Sequence, residues 1–463
     1  MTEPTGAENT GLFDGVFSRG GADTGSRAWL RAMLDTEAAL ARALERAGLA
    51  PAGAGAAVTA AAAGTFDAAA IGRQAALSGN PVPALVAALR KAVPAEAADA
   101  VHRGATSQDI IDTAAMLLAR GALDAIAADL AAAAECCAAL AAAHRDTLMI
   151  GRTLLQQAVP VTFGLVAAGW LTGLDEAGET MTRVRAQRLA VQFGGAAGTL
   201  ASLGPDGPAV ARLLAEELDL ALPVLPWHTD RSRIVEVAAA CAVVAAALAK
   251  IARDVTLLAQ SEVAEVREGG GGSGGERRGG SSAMPHKQNP VAAIAILGCT
   301  RRVPGLVATL AAAAEQEHQR AAGAWHAEWE PFADVLRVTG SAACWAMDLT
   351  GGLVVDPARM RANLDATRGL PLAERVAGLL APALGAAAAH DLVARASAHA
   401  VAVGGTLREA LLGVPELAGW MDGAGITSAQ IDAALDPAGY LGSAGTFTDA
   451  ALAAHARRSL PAG

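Results

Sequence analysis

The chain has 463 residues, 53% apolar and 3% aromatic, with a formal net charge of −10. An acidic chain without Lys/Arg tracts is a poor electrostatic partner for nucleic acid, and this length allows two or three domains around a large core. One Tyr and few runs of Val, Ile or Phe argue against an extensive sheet, while abundant alanine packs closely and favours helix, so the predicted class is all-α.

Residues 1 to about 25 read as irregular, with Phe13, Phe17 and Arg19 standing out. This start lacks the basic and apolar regions of a secretory signal, and the expectation is a soluble, cytoplasmic protein with no membrane partner. From Ser26, SRAWLRAMLDTEAALARALERAGL places Trp29, Met33, Leu40 and Leu44 at helical spacings and ends at Gly48, a C-capping glycine. Shorter helices follow to about Pro94. Residues 1–104 are read as a small N-terminal helical domain.

Between 105 and 352 the pattern becomes one of long alanine-leucine helices, predicted at 107–145, 157–191, 232–267, 290–320 and 330–351. Helices of this length bury their apolar stripes only against one another, which predicts an elongated five-helix bundle. The longest uncharged span, Thr153 to Leu174, holds Gln156, Gln157 and Pro160 and is predicted as a buried core helix. Alanine-rich stripes left over are best covered by further copies, predicting a homo-oligomer. Residues 353–463 are read as a small C-terminal helical domain. The cysteines, Cys136, Cys137, Cys241, Cys299 and Cys344, form no CxxC pair and no metal-ligand spacing with histidine, and read as reduced buried thiols.

One stretch departs from this background. GGGGSGGERRGG (Gly269–Gly280) cannot hold a helix, because each glycine loses conformational entropy on ordering. It runs into a cluster of groups that bind anions or move protons: Ser281, Ser282, His286, Lys287 and Asn289. A hinge joined to such a cluster reads as an active-site lid, whereas a plain spacer needs no Met-Pro-His-Lys-x-Asn-Pro. Asn289-Pro290 reads as a helix start, with Asn as N-cap. That would set Lys287, Arg301 and Arg302 around a positive helix end suited to an anionic substrate.

Two further stretches stand out, HRGATSQDIIDT (His102–Thr113) and GRTLLQQAVPVTFG (Gly151–Gly164). With GSSAMPHKQNP (Gly280–Pro290) they resemble the three signature regions of the fumarase/aspartase superfamily, and the resemblance extends over nearly the whole chain. It implies a homotetramer with a twenty-helix core, in which each active site takes one signature region from each of three subunits. Within the superfamily, LFDGVFSRG, HRGATSQDIIDTA and QRAAGAWHAEWE (Gln319–Glu330) resemble most the 3-carboxy-cis,cis-muconate cycloisomerases. The adenylosuccinate lyases come next.

The resemblance implies that Ser281 is the lid serine exchanging a proton with the carbon beside a substrate carboxylate. Lys287 and Asn289 would grip that carboxylate and stabilise its aci form. It further implies substrate binding by Thr106, Ser107, His102, Thr153 and Gln156, with Ser282, Met284 and Arg19 completing the candidate set. No metal or organic cofactor is implied, and the partner is a small polycarboxylate. Beside these roles, Thr106, Ser107 and His102 also suit the capping of a helix beginning near Ser107, and His286 suits ordering of the loop.

The chemistry is coherent on its own terms. Moving a proton next to a carboxylate loads it with a second negative charge, which a cation and fixed donors must meet. A serine alkoxide is a costly base, plausible only in a closed, dry site beside a lysine. Lyases of this superfamily that expel an amine or hydroxide usually carry a histidine directly after GRT to protonate the leaving group; here that position is Leu154. General acid catalysis contributes about 10²–10⁴ for such groups, whereas a carboxylate, of pKa near ~4, needs none. The expected reaction is therefore lactonisation of 3-carboxy-cis,cis-muconate to 4-carboxymuconolactone. Rivals are a C–N lyase, with His228 or His326 as replacement acid, and a silent structural homologue.

Overall fold

The computed structural model describes residues 11–20, 23–269, 278–280, 283–415 and 426–458. They are overwhelmingly helical, with two short antiparallel ribbons as the only strands among them. The chain divides into two compact units. The first comprises Met1–Ala131, Glu176–Lys250 and Ile294–Met347; the second comprises Ala132–Asp175, Ile251–Ala293 and Asp348–Gly463. The divisions fall inside helices, four of them long, so each of these contributes one part to each unit.

In the first unit, the Ser26–Arg46 helix buries Leu30, Met33 and Leu34 in a core shared with Val58, Val82, Leu85, Leu89, Ile110 and Trp325, and Leu40 and Leu44 are fully buried as well. Gly48, at φ 75°, closes it as predicted, the Leu49 amide donating back to the Leu44 carbonyl. The helix also packs on Gly207–Leu218, where Arg42 and Arg46 pair with Glu217 and Glu216. Solvent screens such half-exposed pairs and leaves them little net stabilisation, so apolar burial holds the contact.

In the second unit, Ala373–Leu384, Ala386–Val403, Leu407–Leu412 and Ser428–Ala434 enclose Val376, Leu380, Leu392, Val393, Leu407, Leu411 and Ile431. The final helix, Ala444–Arg458, is fastened through His455, which bridges Asp175 and Glu135, and through Arg458 on Asp175.

The predicted long helices at 107–145 and 330–351 are present as Ser107–Ala143 and Trp329–Gly351. The other three are shorter than predicted. The segment predicted as a helix from 157, inside the supposed core helix Thr153–Leu174, begins instead with a β-hairpin, Leu148–Thr153 against Gln156–Thr162; the helix runs Phe163–Arg188. Val159 and Val161 favour extended backbone, and Pro160, which has no amide hydrogen, is tolerated in a strand with an open edge. Ser232–Leu258 ends before a short strand, Val266–Glu268, paired with Leu353–Val355. The segment 290–320 is split into Val291–Thr300 and Val303–Ala312, because Pro304 cannot continue the preceding helix but fits the first turn of a new one.

Three spans, Ser107–Ala143, Ser232–Leu258 and Val291–Ala312, have the length and mean hydropathy of membrane crossings, and at most 50% of each apolar window is buried within the chain. Ser107–Ala143 also carries Asp109, Asp112, Arg120, Asp124, Asp129 and Glu135 along its length.

Candidate active site

The first signature region turns into the Ser107–Ala143 helix under control of a buried carboxylate. Asp109, 1% exposed, accepts the backbone N–H of Thr106 at 2.9 Å, of Gly194 at 3.0 Å and of Gly195 at 2.9 Å. His228 Nε2 lies 2.7 Å from its Oδ1. Thr106-x-x-Asp109 is thus half of a capping box, the N3 side chain reaching back to the amide that precedes the helix. His228 is 4% exposed, with its Nε2 on this carboxylate.

One turn deeper, Asp112 takes both terminal nitrogens of Arg231 at 2.7 and 2.9 Å, and Glu328 holds the other side of the same guanidinium. Burial alone would lower the Arg231 pKa, but the two carboxylates raise it above its ordinary value, while burial pushes the Glu328 carboxyl up. Removing one member would strand a buried charge, a loss of about 3–5 kcal/mol. The Trp325 Nε1–H donates to Asp112, and the Trp325 ring meets Trp329 and His326 edge-on, so the aromatics of the QRAAGAWHAEWE stretch pack against one another.

His102 stands at φ 63°, in the left-handed region. Its amide donates to Glu37 Oε2 at 2.9 Å and its Nδ1 sits 2.6 Å from Glu37 Oε1. Thr106 and Ser107 are half-buried, and their hydroxyls bond to no described residue, so the helix start leaves them available.

The second signature region is the hairpin. Thr153 and Gln156 face each other as its last pair, both exposed, and Leu154 and Leu155 form the two-residue turn at φ 51° and 64°. Positive φ at both central residues belongs to a type I′ turn, normally Asn-Gly. Here two leucines take it, 97% and 73% exposed. The hairpin is anchored by Arg152, which forms a two-pronged ion pair with the fully buried Glu265 at 2.8 and 2.9 Å; Asn363 donates to the same carboxylate.

In the third region, Ser281 and Ser282 lie outside the described residues. Around them the chain is tied: Asn289 donates its amide to the Gly279 carbonyl at 2.9 Å and its side-chain Nδ2 to the same oxygen at 3.2 Å, and Gly280 bridges Gln288. Gly279 has φ 82°, and a Cβ there would collide with the Asn289 carbonyl, so only glycine serves. His286 and Lys287 are exposed, as is Met284, whose carbonyl accepts the Lys287 amide.

The expectation that Asn289 caps the following helix is corrected. The helix starts at Val291, and the amides of Ala292 and Ala293 donate to Glu268 at 3.0 and 2.9 Å. The chain's own carboxylate thus occupies the positive helix end predicted for an anionic substrate. Burial raises the Glu268 pKa, against the lowering effect of these amides. Arg301 and Arg302 follow the opposite end of this ten-residue helix, about 15 Å along its axis. Arg302 pairs with Asp334. Arg19 lies over the Trp345 ring, 4.1 Å from its centroid, with its amide on Ser341.

Asp109 was legible as the N3 acid of a T-x-x-D start. Glu37 is legible as a charge on the apolar stripe Met33–Leu40–Leu44. Glu268 beside a glycine run gives no signal. A cavity of about 410 Å³ in the first unit is lined by Trp29, Met33, Ile111, Trp329 and Arg337 and by none of the candidate site residues.

Residues 22–305 match the family described as "Lyase", and residues 369–451 match "Adenylosuccinate lyase C-terminus". The chain is 49% identical to a 3-carboxy-cis,cis-muconate cycloisomerase of Bradyrhizobium diazoefficiens, over 92% of this chain and 93% of the relative. It is 46% identical to a nitrosuccinate lyase of Streptomyces davaonensis, over 92% and 90%. The crystal structure of the 3-carboxy-cis,cis-muconate lactonizing enzyme from Pseudomonas putida superposes with a TM-score of 0.88 at 43% identity, covering 97% of this chain and 100% of that one. The chain belongs to the lyase family, with the all-α fold of the fumarase/aspartase superfamily.

Proposed function

We propose that the protein is a 3-carboxy-cis,cis-muconate cycloisomerase. One carboxylate of the substrate adds to the double bond, forming the lactone C–O bond. The carbon beside a second carboxylate takes a proton from the Ser281 hydroxyl, which is replenished from solvent. Lys287, with Asn289, stabilises the charge on that second carboxylate as the C–O bond forms. Thr106, Ser107, His102, Thr153, Gln156, Ser282, Met284 and Arg19 form the binding set, contributed by different subunits of a homotetramer in the cytoplasm.

The observation that carries this reading is Leu154. It stands at the exposed tip of a hairpin that the Arg152–Glu265 pair holds in place, in the position where amine-expelling relatives need an acid. An apolar tip suits a reaction whose nucleophile or leaving group is already a weak base. That same property supports a second reading, elimination of nitrite from nitrosuccinate, in keeping with the 46% identity to a nitrosuccinate lyase. The test is turnover of 3-carboxymuconate, followed by loss of its conjugated diene, beside nitrosuccinate and adenylosuccinate. The proposal requires 3-carboxymuconate to have the highest kcat/KM. Preference for nitrosuccinate selects the second reading, preference for adenylosuccinate rejects the argument from Leu154, and no turnover of any of the three leaves a silent homologue.

A further inference from the structure

The geometry points to Glu37 as a positioning residue that holds His102 for the substrate, an inference resting on the functional reading above. Glu37 is completely buried on the apolar face of the Ser26–Arg46 helix, between Met33 and Leu40. A carboxylate there is costly unless it is paired, and both of its partners belong to His102: the backbone amide at 2.9 Å and ring Nδ1 at 2.6 Å. One side chain therefore fixes the backbone and the ring of the same residue. The backbone needs fixing, since φ 63° costs a residue other than glycine about 1–2 kcal/mol.

The pair also sets the tautomer. A carboxylate accepts, so Nδ1 carries the proton. Nε2 bonds to no described residue, and the side chain keeps 18% of its surface exposed. The contrast with His455 is instructive: its two ring nitrogens are both closed by carboxylates, Asp175 and Glu135, as a structural bridge requires. His102 has one nitrogen tied and one offered. A substrate carboxylate at Nε2 needs a donor, so the bound form is the imidazolium, whose charge Glu37 balances.

Glu37→Gln keeps an acceptor for the His102 amide but presents its NH₂ to Nδ1 and balances no charge, so the substrate carboxylate meets a neutral Nε2–H donor in place of a charge-assisted one. His102→Asn keeps a donor towards Glu37 and tolerates the left-handed backbone, while deleting Nε2. With 3-carboxymuconate, each variant is expected to raise KM at least about 10-fold with a smaller fall in kcat, the signature of lost binding. In the double variant Glu37→Gln should add less than about 2-fold to His102→Asn, because Glu37 acts only through the ring. A Glu37→Gln enzyme with unchanged KM, or a double variant whose loss is the product of the single losses, overturns the assignment. Nitrogen NMR of the histidine-labelled wild type decides it independently of turnover and of how the variants fold. Nδ1 protonated on His102 supports it, and a bare Nδ1 overturns it. Should the wild type fail to turn over 3-carboxymuconate, the functional reading falls while this spectrum still decides the role of Glu37.

Discussion

Leu154 and Leu155 occupy backbone positions for which leucine is poorly suited, at φ 51° and 64°, with their side chains in solvent. Each such residue costs about 1–2 kcal/mol, and strain of this kind clusters at functional sites. Replacing the pair with the preferred I′ residues, Leu154→Asn with Leu155→Gly, should stabilise the protein by about 1–2 kcal/mol. It should also lower kcat/KM at least about 10-fold. Calorimetry beside the diene assay reads both. A stabilised variant of undiminished activity would show that the apolar tip plays no part in the reaction.

The last helix, Ala444–Arg458, shows how one titratable group can govern an element. Burial would lower the His455 pKa, but Asp175 and Glu135 raise it above its ordinary value. A histidine whose pKa is raised on folding contributes stability fully present below the unfolded value of about 6.5, and lost as pH climbs through the folded value. Amide exchange of 444–458 should therefore quicken as pH rises above about 6.5, beyond the intrinsic pH effect, and His455→Gln should remove that extra dependence. Equal pH dependence in wild type and variant would refute the bridge. The helices themselves were legible wherever alanine-leucine periodicity ran unbroken, as in Ser107–Ala143 and Trp329–Gly351. Reading failed where a local feature outranks composition. Val159-Pro160-Val161 folds as a strand within an uncharged run, and Pro304 divides a helix in two. The signature regions were legible because their polar residues interrupt an alanine background. Of their supports, Asp109 and Glu37 left a trace in the pattern, but the roles of His228, Glu265 and Glu268 did not show, since single polar residues in helices and loops reveal their partners only once the chain is folded.

At the scale of the whole molecule, the long helices leave half or more of their most apolar windows unburied within one chain. Other copies of the same chain are the cover we propose, in a tetramer of four 46.2 kDa chains. Light scattering at micromolar concentration should return four times the chain mass, and a stable monomer would remove the basis for sites shared between subunits. The central claim is that carbon receives its proton from Ser281 while a carboxylate closes the ring. It is tested most directly by proton NMR of the product formed from 3-carboxymuconate in heavy water. The account predicts 4-carboxymuconolactone carrying one solvent-derived deuteron on the carbon beside a carboxylate, and none of it from an intact Ser281→Ala tetramer. A lactone formed at undiminished rate by that variant, or wild-type enzyme that leaves the diene untouched, would contradict it.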